Sequence, residues 1–288
     1  MAAGDPQHSS VRPVGPVYLV ERLPSLHQEL MGLLRRLDEA DWSRPTACAL
    51  WSVKDIVAHL LDTALRRLSF GRDTFMPAAD TGITSYADLV AYLNRLNAEW
   101  VAATRRLSPR ALMDLMDVTA PQVHGFFRSL DPHARASFGV AWAGEESSPV
   151  WFDIGREYTE RWIHQQQIRE AVGAPGLLGR EWLYPVLDIF MRALPHTYRT
   201  ISAEPDQSIH FAIRGEAGGD WTLRRESQGW SLFTGRDDHP VTRVSLDQES
   251  AWKLFSKGLS PEAARRSVRI EGDPRLGEPV FGALAIMA

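Results

Sequence analysis

Cysteine is almost missing from this chain: Cys48 stands alone among 288 residues, which excludes an internal disulfide and any zinc site built from cysteines. No apolar run approaches the roughly 20 residues that a membrane-spanning helix needs, so a membrane is not expected as a partner. There is no glycine-rich phosphate loop and no internal repeat. Lysine is scarce too, with three against 29 arginines. Those arginines are scattered rather than gathered into a stripe with interleaved aromatics. Together with a net charge of -4, this argues against nucleic acid as a partner. The opening MAAGDPQHSSVRPVGP lacks an apolar signal core and is rich in proline, glycine and serine. Residues 1–16 therefore read as a flexible tail on a cytoplasmic protein.

What is present suffices for two moderate cores, with 44% apolar composition over this length. The first two-thirds reads helical. Apolar residues at helical spacing cover 19–37, with Pro24 near the start of the main helix. Ser52 and Asp55 form a capping-box signal ahead of a broad stripe of Val53, Ile56, Val57, Leu60, Leu61, Ala64 and Leu68. Further helices are expected over 86–107 and, shorter, over 112–116, followed by mixed structure over 119–149. After the loop 144–149 comes a helix that Gly173 and Pro175 stop, and another begins at 182–194. Beyond residue 201 the character changes. SIHFAIRG, DWTLRRES, GWSLFTG and VTRVSLDQ are aromatic and β-branched segments between glycine-containing turns, which predict an antiparallel meander. Short helices at 250–257 and 261–266, a strand at 268–271 and a last helix from Pro274 complete an α+β domain.

The chemistry-bearing feature lies in ERWIHQQQIREAVG. Glu160 and His164 are four residues apart, so they stand one above the other on a helix face and can hold one ion from adjacent turns. Projection at 3.6 residues per turn sets Arg156, Ile163, Gln167 and Ala171 beside them. His59, in LWSVKDIVAHLLD, would supply a third ligand from a facing helix. Two imidazoles and one carboxylate suit zinc, nickel or ferrous iron, a choice the residues leave open, and three protein ligands leave positions open. A solvated helix face is the plainer alternative for such spacings. Asp55 and Asp62 flank His59 and read as helix-surface acids in preference to acceptors for its ring. His124 and His133 are reserve ligands. Cys48, in RPTACALW with no histidine close in sequence, reads as a small buried hydrophobe, and Trp51 as a staple before the Ser52 cap.

The segments LWSVKDIVAHL, EYTERWIHQQQIREAVG and VRIEGDPRLGEPVFGALAIMA together resemble the mycothiol-dependent maleylpyruvate isomerase family. The resemblance implies an N-terminal DinB-like four-helix bundle, placed at residues 17–200, followed by a small sterol-carrier-like α+β domain at 201–288. It implies a divalent metal, commonly zinc, on His59, Glu160 and His164. It also implies mycothiol or another small thiol, a small electrophilic substrate, and an arginine from the C-terminal domain. Arg214, Arg224, Arg243 and Arg269 are the candidates for that arginine. The expected function is thus metal- and thiol-dependent isomerisation or S-transfer by a monomer or homodimer, with Arg156 and Gln167 as contacts to the substrate or to the metal ligands. One alternative replaces the thiol with water and makes the protein a metal-dependent hydrolase, with Asp62 or Glu157 as base. Another is a non-catalytic protein that holds an apolar ligand among Trp221, Trp230, Phe233, Trp252 and Phe255 and keeps the metal for structure; core packing is the preferred reading of those aromatics.

Overall fold

Pro24 sits in the first turn of α1 (Leu23–Leu34), where its missing N–H costs nothing; the structure, a computed structural model, describes residues 11–75 and 83–286. Ser52 starts α2 (Val53–Arg66). The Asp55 N–H donates to Ser52 Oγ at 3.3 Å, and the Ser52 N–H donates to Asp55 Oδ2 at 3.0 Å. The same reciprocal device, Ser85 with Asp88, starts α3 (Tyr86–Thr104). Contacts divide the chain into two units.

In the helical unit, α1, α2, α4 (Pro109–Arg128) and α5 (Val150–Val172) form the expected four-helix bundle, with α3 against α2. Val53, Ile56, Val57 and Leu61 of α2 are wholly buried, each contributing about 1.5–3 kcal/mol. They pack with Leu30, Leu34, Leu112, Met116 and Ile168. The sequence predicts that α4 ends near residue 116, but it runs twelve residues further, through Pro121. An interior proline costs about 3 kcal/mol. Burial of Met116, Thr119, Val123 and Phe127 along one face outweighs that loss.

The second unit takes in residues 178–286, the described residues up to Pro16, and Trp142–Glu145. The sequence-based boundary at 200/201 therefore differs from the observed one, because α6 (Arg180–Met191) and α7 (Leu194–Thr197) belong with the sheet. Tyr198, just after α7, stacks edge-on to Phe211 and Trp230. Within the segment expected to be a flexible tail, β1 (Arg12–Pro13) pairs with the edge of the sheet, while residues 1–10 lie outside the described residues.

The predicted meander holds only in part. β2 (Ser208–Arg214), β3 (Gly219–Glu226) and β4 (Gly229–Thr234) are antiparallel neighbours. β5 (Thr242–Asp247) instead pairs parallel to β2, and β6 (Arg269–Gly272) pairs antiparallel to β5, giving the order β1-β4-β3-β2-β5-β6. The cause is the connection 235–241, which crosses β3 and β2 to reach the far edge. Thr222 Oγ1 donates to the Gly235 carbonyl, and Ser208 Oγ donates to Asp237 Oδ2 at 2.8 Å, pinning that crossing. Helices α8 (Gln248–Phe255), α9 (Pro261–Ser267) and α10 (Pro274–Gly277) complete the unit. No described helix is long and apolar enough to cross a membrane.

Candidate metal centre

Helix α5 is buried almost all round although it carries Asp153, Glu157, His164, three consecutive glutamines and Arg169. A helix so polar and so buried must satisfy its side chains internally. Gly173, at φ 67°, ends it in the left-handed conformation that glycine adopts freely. Two consecutive clusters along its length face α2. Midway along α2, His59 meets Glu160 and His164, and just beyond its end Arg67 meets Asp153 and Glu157. The two helices therefore run antiparallel.

The first cluster unites the three residues expected to hold an ion. Glu160 Oε1 lies 2.9 Å from His59 Nε2 and 3.2 Å from His164 Nε2. The two imidazoles stand edge to face, with centroids 4.8 Å apart. One ligand atom from each residue falls within 4.8 Å of the others. Burial lowers the His59 pKa, and the hydrogen bond to Glu160 only partly opposes that effect, so its ring is held neutral. Burial also opposes ionisation of Glu160, but the His164 charge and the hydrogen bonds from both rings outweigh it and bring the carboxyl well below its usual range. At His164 burial acts downward and is overcome, chiefly by the Glu160 carboxylate, so that the pKa rises to about 10. In the ion-free centre a proton on His164 Nε2 thus occupies the direction in which a cation would be attracted. Two imidazole nitrogens and a carboxylate oxygen converging in this way fit a divalent ion.

Two further residues belong to the same centre. Gln167, expected to touch either substrate or a metal ligand, turns its Oε1 to His164 Nδ1 at 2.8 Å. Cys48, expected to be a buried hydrophobe remote from histidine, is only partly buried and donates from Sγ to that same oxygen at 3.2 Å. The loop carrying Cys48 is closed by a turn in which Trp51 N–H donates to the Cys48 carbonyl. It brings Trp51 over both imidazoles, with centroids 4.7 Å from His59 and 6.0 Å from His164. Trp51 is therefore a wall of the centre, not merely a staple.

The second cluster has no counterpart in the sequence reading. Arg67 opens a π-helical turn that extends α2. It donates from both terminal nitrogens to the two Asp153 oxygens at 2.8 and 2.9 Å, and from Nε to Glu157 at 3.0 Å. Arg161 donates twice to Glu157 Oε1, at 3.1 and 2.7 Å, while Arg156 donates to Asp153. Burial opposes ionisation of Asp153, yet Arg67 and Arg156 hold it down at about 2. Asp153 and Glu157 continue the Glu160–His164 stripe by one and two turns, the signal that a search for a second polar face would have used.

The remaining candidates fall elsewhere. Asp55 is spent on the Ser52 cap and Asp62 pairs with Arg66 at 3.0 Å. His124 lies 3.7 Å from Glu21, and His133 bonds to the Tyr18 hydroxyl. In the other unit, Arg214 faces Asp220, Arg224 lies near Asp237 and over Phe233, Arg269 pairs with Glu271, and Arg243 is half-buried on β5. Trp221, Trp252 and Phe255 are buried in that unit's core, where Trp221 Nε1 donates to Asp188 and Phe255 stacks on Phe190.

Fold and centre together define a class: a four-helix bundle with a two-histidine, one-carboxylate cluster shared between facing helices, in a chain that also carries an α+β unit. The profile of the "Mycothiol maleylpyruvate isomerase N-terminal domain" family matches residues 23–169, and the chain belongs to that family. Two crystal structures of mycothiol-dependent maleylpyruvate isomerase, one of a mutant with a histidine replaced by alanine, are similar in fold. Each has a TM-score of 0.51 and 13% sequence identity, covering 88% of this chain and 92% of that one. No curated protein sequence matches the chain.

Proposed function

We propose that the protein is a metal-dependent enzyme that uses a low-molecular-weight thiol, mycothiol or a close relative, for isomerisation or S-transfer on a small electrophilic substrate. The observation that carries this reading is the single Glu160 oxygen within hydrogen-bond reach of both His59 Nε2 and His164 Nε2. His59, Glu160 and His164 would hold the ion, with zinc ahead of nickel and iron. When bound there, it supplies the charge that deprotonates a coordinated thiol near neutral pH, and the resulting nucleophile can add reversibly across an activated double bond or remain attached to the product.

The chain's own residues do the rest. Burial keeps the His59 ring neutral at neutral pH, the form in which an imidazole ligates an ion. Glu160 offsets the charge of the ion. Trp51 covers one side of both rings and keeps bulk water from them. Arg156, one helical turn before Glu160, donates to Asp153 through Nη2, and its guanidinium would also meet an anionic group of the substrate. The geometry favours this reading over hydrolysis. Glu157 is saturated by Arg67 and Arg161, and Asp62 is paired with Arg66, so neither named base is free to take a proton from water. Apolar-ligand binding is disfavoured as well, because Trp221, Trp252 and Phe255 are used in packing.

Elemental analysis of the purified full chain tests the reading. About one divalent ion per chain is expected, lost in His164→Ala, together with turnover of an electrophilic unsaturated acid that requires both ion and thiol. A chain that takes up no zinc, nickel or iron on reconstitution would refute it.

A further inference from the structure

Gln167 and Cys48 lie outside the ligand set, yet they converge on the outer nitrogen of His164. Gln167 Oε1 lies 2.8 Å from His164 Nδ1 and 3.2 Å from Cys48 Sγ. An amide has two ends, and the two orientations have opposite consequences for the ring. With Oε1 toward the ring, Nδ1 keeps its proton when an ion displaces the one on Nε2, and the Nε2 lone pair is left for the cluster. With the amide turned over, its NH2 would donate to Nδ1, the ring proton would move to Nε2, and that nitrogen would point a hydrogen at Glu160, where an ion must bind. A neutral thiol is a better donor to a carbonyl oxygen than an acceptor from an NH2, so Cys48 favours the first orientation. His164 and Gln167 are both buried, and a wrong tautomer there would not be corrected by solvent.

We propose that Cys48 and Gln167 are a positioning pair: the thiol orients the amide, the amide fixes the His164 tautomer, and the tautomer sets the affinity of the centre for its ion. This rests on the metal-dependent reading above. It also gives the one cysteine of the chain a role that is neither nucleophile nor ligand. Such outer partners of a ligating histidine typically alter metal affinity by about 10–100-fold when removed.

The test is a competition titration of zinc against a chromophoric chelator, with the visible spectrum of the cobalt(II)-substituted protein as a second readout, on the full chain. Gln167→Ala is expected to weaken zinc binding by about 10–100-fold and to shift the cobalt bands. Gln167→Glu, which keeps an acceptor in place, should restore most of that affinity. Cys48→Ser, which keeps a donor, should bind nearly as the parent does, whereas Cys48→Ala should be weaker than Cys48→Ser. Thermal melting of the metal-free variants checks that each is folded. Parent-like affinity in Gln167→Ala, or equal weakening in Gln167→Ala and Gln167→Glu, would overturn the proposal while the metal-dependent reading stands. Absence of zinc binding by the parent chain would overturn both.

Discussion

Removing the Arg67 guanidinium should destabilise the helical unit more than any single loss of a surface ion pair. Arg67 is largely but not wholly buried and gives three hydrogen bonds to two buried carboxylates on α5. In Arg67→Met the apolar stem is largely retained, so the loss comes from Asp153 and Glu157, which keep only Arg156 and Arg161. Breaking a buried pair from one side costs about 3–5 kcal/mol, because an undercompensated charge remains inside. The partial compensation by Arg156 and Arg161 places the expectation near the lower figure. Asp153 supplies an independent check. Its carboxyl moves from 3.8 to about 2 in the folded protein, equivalent to roughly 2 kcal/mol by linkage. The folded pKa is depressed, so this stabilisation is present above pH 3.8 and is lost as pH falls through about 2. The assay is urea denaturation of parent and variant followed by tryptophan fluorescence, at neutral pH and again near the acid limit. The variant should unfold at markedly lower urea at neutral pH, and the gap should narrow in acid. Asp153→Leu combined with Arg67→Met should recover part of the loss. A variant within about 0.5 kcal/mol of the parent at neutral pH, the range of ordinary surface changes, would refute the reasoning.

The metal-free protein should be pH-sensitive on the alkaline side. The His164 pKa is raised from 6.5 to about 10, so its contribution is full below pH 6.5 and disappears as pH rises through about 10. Melting in the presence of chelator should fall over that window, and reconstitution with zinc should flatten the profile. In the other unit, Gly272→Ala should cost about 1–3 kcal/mol. Gly272 has φ 98°, and a Cβ there would meet the Val241 backbone carbonyl, which cannot swing away; a melting temperature equal to the parent's would count against that account.

Local spacing carried much of this protein. The capping signal of Ser52 and Asp55, the apolar stripe of α2, the four-residue interval between Glu160 and His164, and the glycine that ends α5 are all short-range features, readable because helix geometry repeats every few residues. The resemblance of three segments to one family linked His59 to that pair, although 101 residues separate His59 from Glu160. What tertiary structure alone decided involves partners with no sequence proximity or choices between equivalent edges. The amide of Gln167, which meets His164 one turn away, is also met by a cysteine 119 residues away. Arg67 finds Asp153 and Glu157 only because α2 and α5 run antiparallel, which sets the end of α2 beside the first half of α5. The four strand signals fix neither edge for β5; the pinned crossing 235–241 places it parallel to β2. Pro121 reads as a helix stop in isolation, and only burial of the face from Met116 to Phe127 carries α4 past it. Periodicity determines which face of an element is buried, but long-range packing determines what that face meets.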